Sequence, residues 1–378
     1  MKTDIVLGTS WGDEGKGVVV DNLCNGPSTL VVRFSGGQQC GHTVMRDGKK
    51  HVFSNFGSGT IQGSKTFFTE HTTVFPRTFL KEYEILQEKG INPPRTYIHP
   101  MARITTVYDV AFNRASENAF RRHGSCGLGI GATMKRNDET CYNLYAIDLK
   151  HLELYRAKLQ AIGAYYENLI ESKSEGFVEE YREQLGMLGA EYFKRKEEEI
   201  KSFLDKVYIL DIRHPKYDLG IDNVVFEGSQ GIQLDMHHGV FPNVTYANTT
   251  SRNAIEYLKK WEANFPSIYY VTRCYGTRHG EGWVPNYDPV ELINNEEEIN
   301  VYNAYQRNFK VFEFDQSIME QSVAIDSIYH RDLFVSKHLV ITCVDQRPEW
   351  VVPKFDTSFF KIHLNNSPKC GNMSIYGK

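Results

Sequence analysis

A short apolar run, Ile5-Val6-Leu7, ends in a glycine-punctuated stretch, Gly8-Thr9-Ser10-Trp11-Gly12-Asp13-Glu14-Gly15-Lys16-Gly17. Val18-Val19-Val20-Asp21-Asn22-Leu23 then suits a helix, so the chain opens on a strand, a tight loop and a helix. Glycines let backbone N–H groups approach an anion, the helix N-terminus adds partial positive charge, and Lys16 supplies a full one. The loop reads as a phosphate cradle of Gly12, Gly15, Lys16 and Gly17. It is not a Walker A loop, which needs glycine at position 10 and Ser or Thr at position 17, where this chain has Ser10 and Gly17. Asp13 and Glu14 are unexpected there, because a carboxylate repels a nucleotide unless it holds Mg²⁺ or moves a proton. Catalysis is therefore expected of this loop, rather than a structural turn.

Further strand-like runs lie at Leu30–Phe34, Val224–Phe226, Ile268–Val271, Leu339–Thr342 and Phe359–Ile362. Several are continuously apolar, as central strands covered on both faces are. A helical stretch is expected from about Leu152 to Val207, its aromatic residues in the core and its Lys194–Lys206 part a solvated face. Strands alternating with helices predict an α/β fold, a large and mainly parallel sheet with the chemistry on strand-ending loops. No repeat or linker divides the 378 residues, so one domain is expected, with a helical insertion at about 150–207. A formal charge of −4 argues against a nucleic-acid or membrane surface. Seven cysteines without a C-x-x-C pair suggest reduced thiols. The early strand leaves no room for a signal peptide, and no run nears the ~20 apolar residues of a membrane span. A cytoplasmic protein is expected, in a host cytoplasm if phage-encoded.

Five more clusters follow. Gly36-Gly37-Gln38-Gln39-Cys40-Gly41-His42-Thr43 sets an imidazole beside a flexible backbone, suiting a general acid or a phosphate partner. Ser125-Cys126-Gly127-Leu128-Gly129-Ile130-Gly131 is a second glycine-rich loop, with Lys135-Arg136 behind it. Phe226-Glu227-Gly228-Ser229-Gln230-Gly231 closes a strand, and Pro242-Asn243-Val244-Thr245 follows; Gln230 and Thr245 can hydrogen-bond a neutral base or sugar. The last two are Tyr275-Gly276-Thr277-Arg278-His279-Gly280 and Thr342-Cys343-Val344-Asp345, where a strand-end carboxylate could read a purine edge.

In this order the clusters closely resemble the adenylosuccinate synthetase family, whose opening G-x-x-W-G-D-E-G-K-G is matched almost throughout. The resemblance runs through residues 1–280, with Asn248-Thr249-Thr250 also matching, and thins to about 315 and 339–345. It implies a large, mainly parallel sheet flanked by helices, like a P-loop NTPase, in a homodimer with shared active sites. The implied reaction joins L-aspartate to C6 of a 6-oxopurine nucleotide, after an NTP has phosphorylated O6. Asp13, His42, Lys16 and Gln230 would be catalytic. Asp13 would take the N1 proton and, with the Gly41 carbonyl, ligate Mg²⁺; His42 would stabilise the transferring phosphoryl group. Gly12, Asp13, Glu14, Gly15, Lys16, Gly17, Gly41, His42, Thr43 and Asp345 would hold the NTP. Asp13, Gln39, Ser125, Cys126, Arg136, Gln230 and Thr245 would hold the purine monophosphate, Arg136 by reaching the neighbouring subunit. Arg307 and Lys310 would pair with aspartate.

This chain departs from the family pattern at Gln39 (asparagine in the family), at Ser125-Cys126-Gly127-Leu128 and in an arginine-poor aspartate loop. It also has Cys343 in place of a lysine and a short segment between Asp345 and Ser367. IMP is the expected acceptor and GTP is favoured over ATP. The alternative is a compact phage-type enzyme acting on dGMP, or a deoxy-IMP-like substrate, with ATP or dATP. Asp13 weighs against it, since a carboxylate opposite N1 crowds a 2-amino group. A non-catalytic nucleotide-binding regulator or a generic GTPase would have little use for Asp13, His42 and Gln230 together.

Overall fold

The computed structural model describes the chain apart from residues 120–123, 286, 287, 289, 294–308, 356–359, 368–372 and 376–378. In chain order β1 (Lys2–Gly8) leads into α1 (Lys16–Leu23) and β2 (Thr29–Arg33). A hairpin of β3 (His42–Arg46) and β4 (Lys49–Phe53) precedes β5 (Lys65–Phe68), β6 (Thr73–Val74), α2 (Pro76–Glu88), β7 (Thr96–Ile98) and β8 (Arg103–Ile104). Four helices follow: α3 (Val107–Ala119), α4 (Ile130–Glu139), α5 (Leu152–Ile170) and α6 (Glu175–Leu204). Then come β9 (Val207–Ile209), α7 (Pro215–Leu219), β10 (Asn223–Gly231) and α8 (Arg252–Lys260). The remaining elements are β11 (Ser267–Arg273), β12 (Tyr275–His279), β13 (Phe309–Glu313), α9 (Gln316–Ser327), β14 (Ser336–Thr342), β15 (Lys361–Asn365) and β16 (Met373–Ile375).

Ten of these strands form one sheet, in the order β16-β15-β14-β11-β1-β10-β2-β5-β7-β9. Every pairing is parallel except β15–β16 at one edge. The expected α/β architecture is what forms. Alternation along β1 explains why both faces of the sheet are apolar. Ile5 and Leu7 enter a core with Leu30, Phe226, Trp261 and Tyr270, while Val6 joins Val19, Val31, Val225, Val271 and Val340 beneath α1. Burying each such valine contributes about 1.5–3 kcal/mol.

The expected 152–207 helix is two helices, because Ser172-Lys173-Ser174 turns between them, and Val207 opens the β-branched and aromatic strand β9 instead. Tyr155, Tyr166, Tyr181 and Tyr192 of this region are buried, as expected. The strand expected at 359–362 is realised at Lys361–Asn365; Phe359 lies outside the described residues.

This topology places the site. β14, β11, β1, β10 and β2 are consecutive in the sheet and parallel, so their carboxyl ends share one edge. The strand order turns about β1, whose chain crosses through α1 to β2, beyond β10. Ligands bind at such switch points in open α/β sheets.

Candidate active site

The first loop leaves β1 and returns at Gly15, whose φ of 89° caps α1 from the left-handed region. Gly8 and Gly231 give the loop its shape. A Cβ on Gly231 would lie 2.0 Å from the Ser10 carbonyl, and one on Gly8 would lie 2.3 Å from Glu14 Oε2. Between them is a slot for the Glu14 carboxylate. Its Oε1 accepts from the amides of Ser10 (3.0 Å) and Gly12 (2.9 Å), and its Oε2 lies 2.5 Å from Lys16 Nζ. Glu14 is 1% exposed, so it fixes the loop from inside instead of meeting a phosphate, which its charge would repel. That corrects the expectation for its side chain. Lys16 spends one donor on Glu14 and keeps two.

Asp13 stands in the left-handed region, with φ of 62°. Its Oδ2 lies 3.0 Å from His279 Nε2, and Arg273 Nε donates to its carbonyl. Burial opposes ionisation of Asp13, but His279, Arg273 and Lys16 outweigh it and hold the carboxyl below its ordinary value.

His42 follows the second loop at the start of β3. Its Nδ1 is 2.6 Å from Glu227 Oε1, and Glu227 also accepts from the Ser58 amide (3.2 Å) and hydroxyl. This fixes the ring with Nε2 as the open nitrogen, buried and without a partner among the described residues. Burial pulls the His42 pKa down despite Glu227, leaving a neutral ring at neutral pH. A Cβ on Gly17 would touch the His42 Cβ at 2.9 Å, so the first two loops are in contact.

Gln39 and Gln230 bring carboxamides to the same edge. Both amide atoms of Gln39 and Oε1 of Gln230 are buried without a described partner. Gln38, to which no role was assigned, ties this loop to the next by donating to the Leu128 carbonyl at 3.0 Å. Within that loop, Ser125 Oγ accepts from Asn113 at 2.9 Å and keeps its own proton to donate. Burial pushes the Cys126 thiol up to about 12, so it stays neutral. Thr245 bonds through its amide to the Leu234 carbonyl at 2.8 Å, just beyond β10. Thr342 Oγ1 donates to the Glu14 carbonyl at 2.7 Å, bringing the Asp345 turn to the first loop; Asp345 itself accepts from Gln346 at 3.1 Å. Gly41 and Thr43 flank His42. Lys310, on β13, donates to the Gly282 carbonyl at 3.2 Å. Arg307 lies outside the described residues.

Arg136 is not where the sequence suggested. It is 1% exposed and bonds Asp109 at 2.8 and 3.0 Å, the Tyr142 carbonyl at 2.7 Å and the Ile104 carbonyl at 3.0 Å. With its donors spent inside one chain it is a structural arginine of the α3–α4 pair, unavailable to a neighbouring subunit. Sequence reasoning also missed Glu227 and His279. The signal for Glu227 was an acid at the end of an apolar strand, where only a partnered carboxylate is tolerated.

The family model described as adenylosuccinate synthetase matches residues 5–345. The chain belongs to the adenylosuccinate synthetase family. It is thus of a ligase family. An adenylosuccinate synthetase of Pseudomonas syringae pv. syringae (strain B728a) is 32% identical over 340 residues, 86% of this chain and 75% of that protein. The fold is similar to that of a fully ligated adenylosuccinate synthetase from Plasmodium falciparum, with a TM-score of 0.64 at 19% identity over 91% of this chain and 77% of that one. It is also similar to the cyanophage S-2L succinoaminodeoxyadenylate synthetase bound to dGMP and dATP, with a TM-score of 0.66 at 15% identity over 100% and 97%. Among the described residues, no helix is long and apolar enough to cross a membrane.

Proposed function

We propose that this chain joins the amino group of L-aspartate to C6 of a 6-oxopurine nucleotide, converting IMP to adenylosuccinate with hydrolysis of GTP or ATP. One observation carries the reading: His42 Nε2, both amide atoms of Gln39 and Gln230 Oε1 are buried without a described partner, where the 36–43 segment lies against the carboxyl end of β10. An unsatisfied buried polar atom costs about 1–3 kcal/mol. Such a group is stable when a ligand with hydrogen-bonding edges completes it, as a purine does.

An oxo group leaves poorly, so O6 is first phosphorylated and aspartate then displaces phosphate. Asp13 accepts the N1 proton, which makes O6 nucleophilic. Lys16 and the amides of Gly12, Gly15 and Gly17 hold the NTP phosphates in line, since phosphoryl transfer is mostly positioning and charge neutralisation. The polyphosphate favours a proton on His42 Nε2; the ring then donates to the moving phosphoryl group and later to the departing oxygen, while Glu227 steadies the imidazolium. The Asp13 carboxylate and the Gly41 carbonyl are hard oxygen donors of the kind Mg²⁺ takes alongside phosphate oxygens, and these two would hold it. When bound, Mg²⁺ supplies charge neutralisation at the phosphates. Gln39, Ser125, Cys126, Gln230 and Thr245 hold the purine monophosphate, Asp345 reads the NTP base, and Arg307 with Lys310 pairs with aspartate. The working unit is a homodimer in the cytoplasm.

The second reading is dGMP as acceptor with ATP or dATP. It is favoured by the short segment between Asp345 and Ser367 and by the fold, which superposes over 97% of the cyanophage chain against 77% of the Plasmodium one. Asp13 favours IMP, because its carboxylate crowds a 2-amino group. A substrate matrix separates the two: IMP, dIMP, GMP and dGMP, each with GTP, ATP and dATP plus aspartate, followed by mass spectrometry of the succinylated product. IMP should give the highest kcat/KM. Product from dGMP alone overturns the first reading, and NTP hydrolysis without any acceptor overturns both.

A further inference from the structure

Residues around β12 form a ladder along the first loop. Tyr275, Thr277 and His279 are two residues apart in β12, and strand alternation aims such positions to one side; Arg273 ends β11 just before it. Arg273 Nε donates to the Asp13 carbonyl, and its second arm donates to the Tyr275 hydroxyl at 2.8 Å. Thr277 Oγ1 donates to the Gly12 carbonyl at 3.1 Å, and His279 Nε2 lies 3.0 Å from Asp13 Oδ2. Arg273 and Thr277 grip the loop backbone; His279 grips the carboxylate. The imidazole is itself fixed, for it pairs with Phe309 across the β12–β13 hairpin with ring centroids 4.7 Å apart. The His279 and Asp13 side chains are only 18% and 21% exposed. A loose surface ion pair has neither this packing nor this anchorage.

Asp13 has two tasks and two oxygens: it accepts a proton from the purine and would also face a divalent cation. We propose that His279 is a positioning residue that divides these tasks, its Nε2–H sharing Oδ2, the oxygen left for the cation, so that Oδ1 is the oxygen presented to purine N1. The inference rests on the reading that Asp13 faces the purine ring. A neutral imidazole protonated on Nε2 is sufficient, so no change of charge is involved. The backbone at Asp13 does not fix its side-chain torsions. Without His279 the carboxylate rotates and Oδ2 opens fully to the cation. Proton abstraction then slows, because its geometry is lost, while the amides that hold the purine are untouched.

The test compares His279→Ala and His279→Gln with wild type; the glutamine amide N–H reaches to about where Nε2–H stands. In steady state His279→Ala should lower kcat by roughly 30- to 100-fold with KM for the purine monophosphate changed less than about threefold, the scale of a misplaced catalytic group. His279→Gln should recover most of the loss. The second readout needs no turnover: Mn²⁺ affinity by electron paramagnetic resonance, with IMP and GDP present, should be several-fold tighter in His279→Ala. An unchanged kcat, an effect confined to KM, or a glutamine variant as impaired as alanine at wild-type Tm would overturn the assignment. So would equal Mn²⁺ affinities in wild type and His279→Ala. A wild-type protein inert toward every acceptor would instead defeat the proposed reaction, and the Mn²⁺ comparison would still judge His279.

Discussion

At Glu227 the fold keeps a carboxylate that water never reaches. Burial opposes its ionisation, but the His42 ring, the Arg33 guanidinium and the Ser58 hydroxyl outweigh burial and hold it at about 2, against 4.5 for an ordinary glutamate. A carboxyl depressed in the folded state stabilises the fold fully above the unfolded value, and that stability is lost as pH falls from about 4.5 toward 2. His42 acts in the same direction, because burial lowers its pKa and the unfolded ring gains its proton first as pH falls. Glu227→Gln keeps an acceptor for Nδ1–H and removes the charge. Its stability should therefore depend less steeply on pH below about 4.5, by roughly 3 kcal/mol at the acid end, measured as denaturant midpoints against pH. Turnover should fall by about 10²-fold, because the imidazolium loses its counter-charge. Asp13→Ala and His42→Ala should each abolish turnover, and His42→Ala should also lower Tm because it strands the buried Glu227 carboxylate; near-normal rates in either folded variant would contradict the roles proposed for them.

The first loop is stable because neighbouring elements close on it: Gly231 of β10 beneath Ser10, Thr342 of β14 on the Glu14 carbonyl, and Ser322 of α9 on the Thr9 carbonyl at 2.6 Å. A Cβ at Gly231 meets the Ser10 backbone and the Glu14 carboxylate, which its own hydrogen bonds pin in place. Gly231→Ala should cost about 1–3 kcal/mol in chemical denaturation, the price of overpacking, and weaken NTP binding measured by calorimetry. The α3–α4 pair gives a second test. Removing Arg136 strands Asp109 in the core, so Arg136→Ala should lose about 3–5 kcal/mol of stability while KM for the purine monophosphate changes little in the folded fraction. A large KM effect at wild-type stability would restore the role across the subunit boundary. These elements also mark what the sequence could reveal. The strand–loop–helix opening and the apolar strands were legible because glycine spacing and two-sided apolar runs are local signals. Burial of Arg136 was not, because an arginine on a short helix looks the same whether Asp109, 27 residues away, lies beneath it or not. His279 was visible as a residue, yet its contact with Asp13 spans most of the chain and exists only once β12 folds along the first loop.

At the scale of the whole molecule, a net charge of −4 coexists with a first loop that has Lys16 and Arg273 beside Asp13, so local topology gathers positive charge that the composition does not show. The helical layer is joined to the sheet by a common core. Tyr155, Ile162, Phe177 and Phe203 of α5 and α6 cluster with Phe68 of β5, Val74 of β6 and Ile98 of β7. We expect the chain to unfold as one cooperative unit for that reason, since the helices cannot leave without exposing the sheet's own core. Calorimetry should show a single transition, and IMP at about a hundredfold excess over its Kd should shift all of it upward, by about 2.7 kcal/mol of added stability. Two transitions, with only one moved by IMP, would make residues 150–207 a separate domain. Among the described residues no three His, Cys, Asp or Glu side chains gather as a metal site, and Glu14 is neutralised by Lys16. Chelation with EDTA should therefore stop turnover and leave the ligand-free transition where it was. A transition that falls on chelation would mean that the cation holds the fold as well as the phosphates.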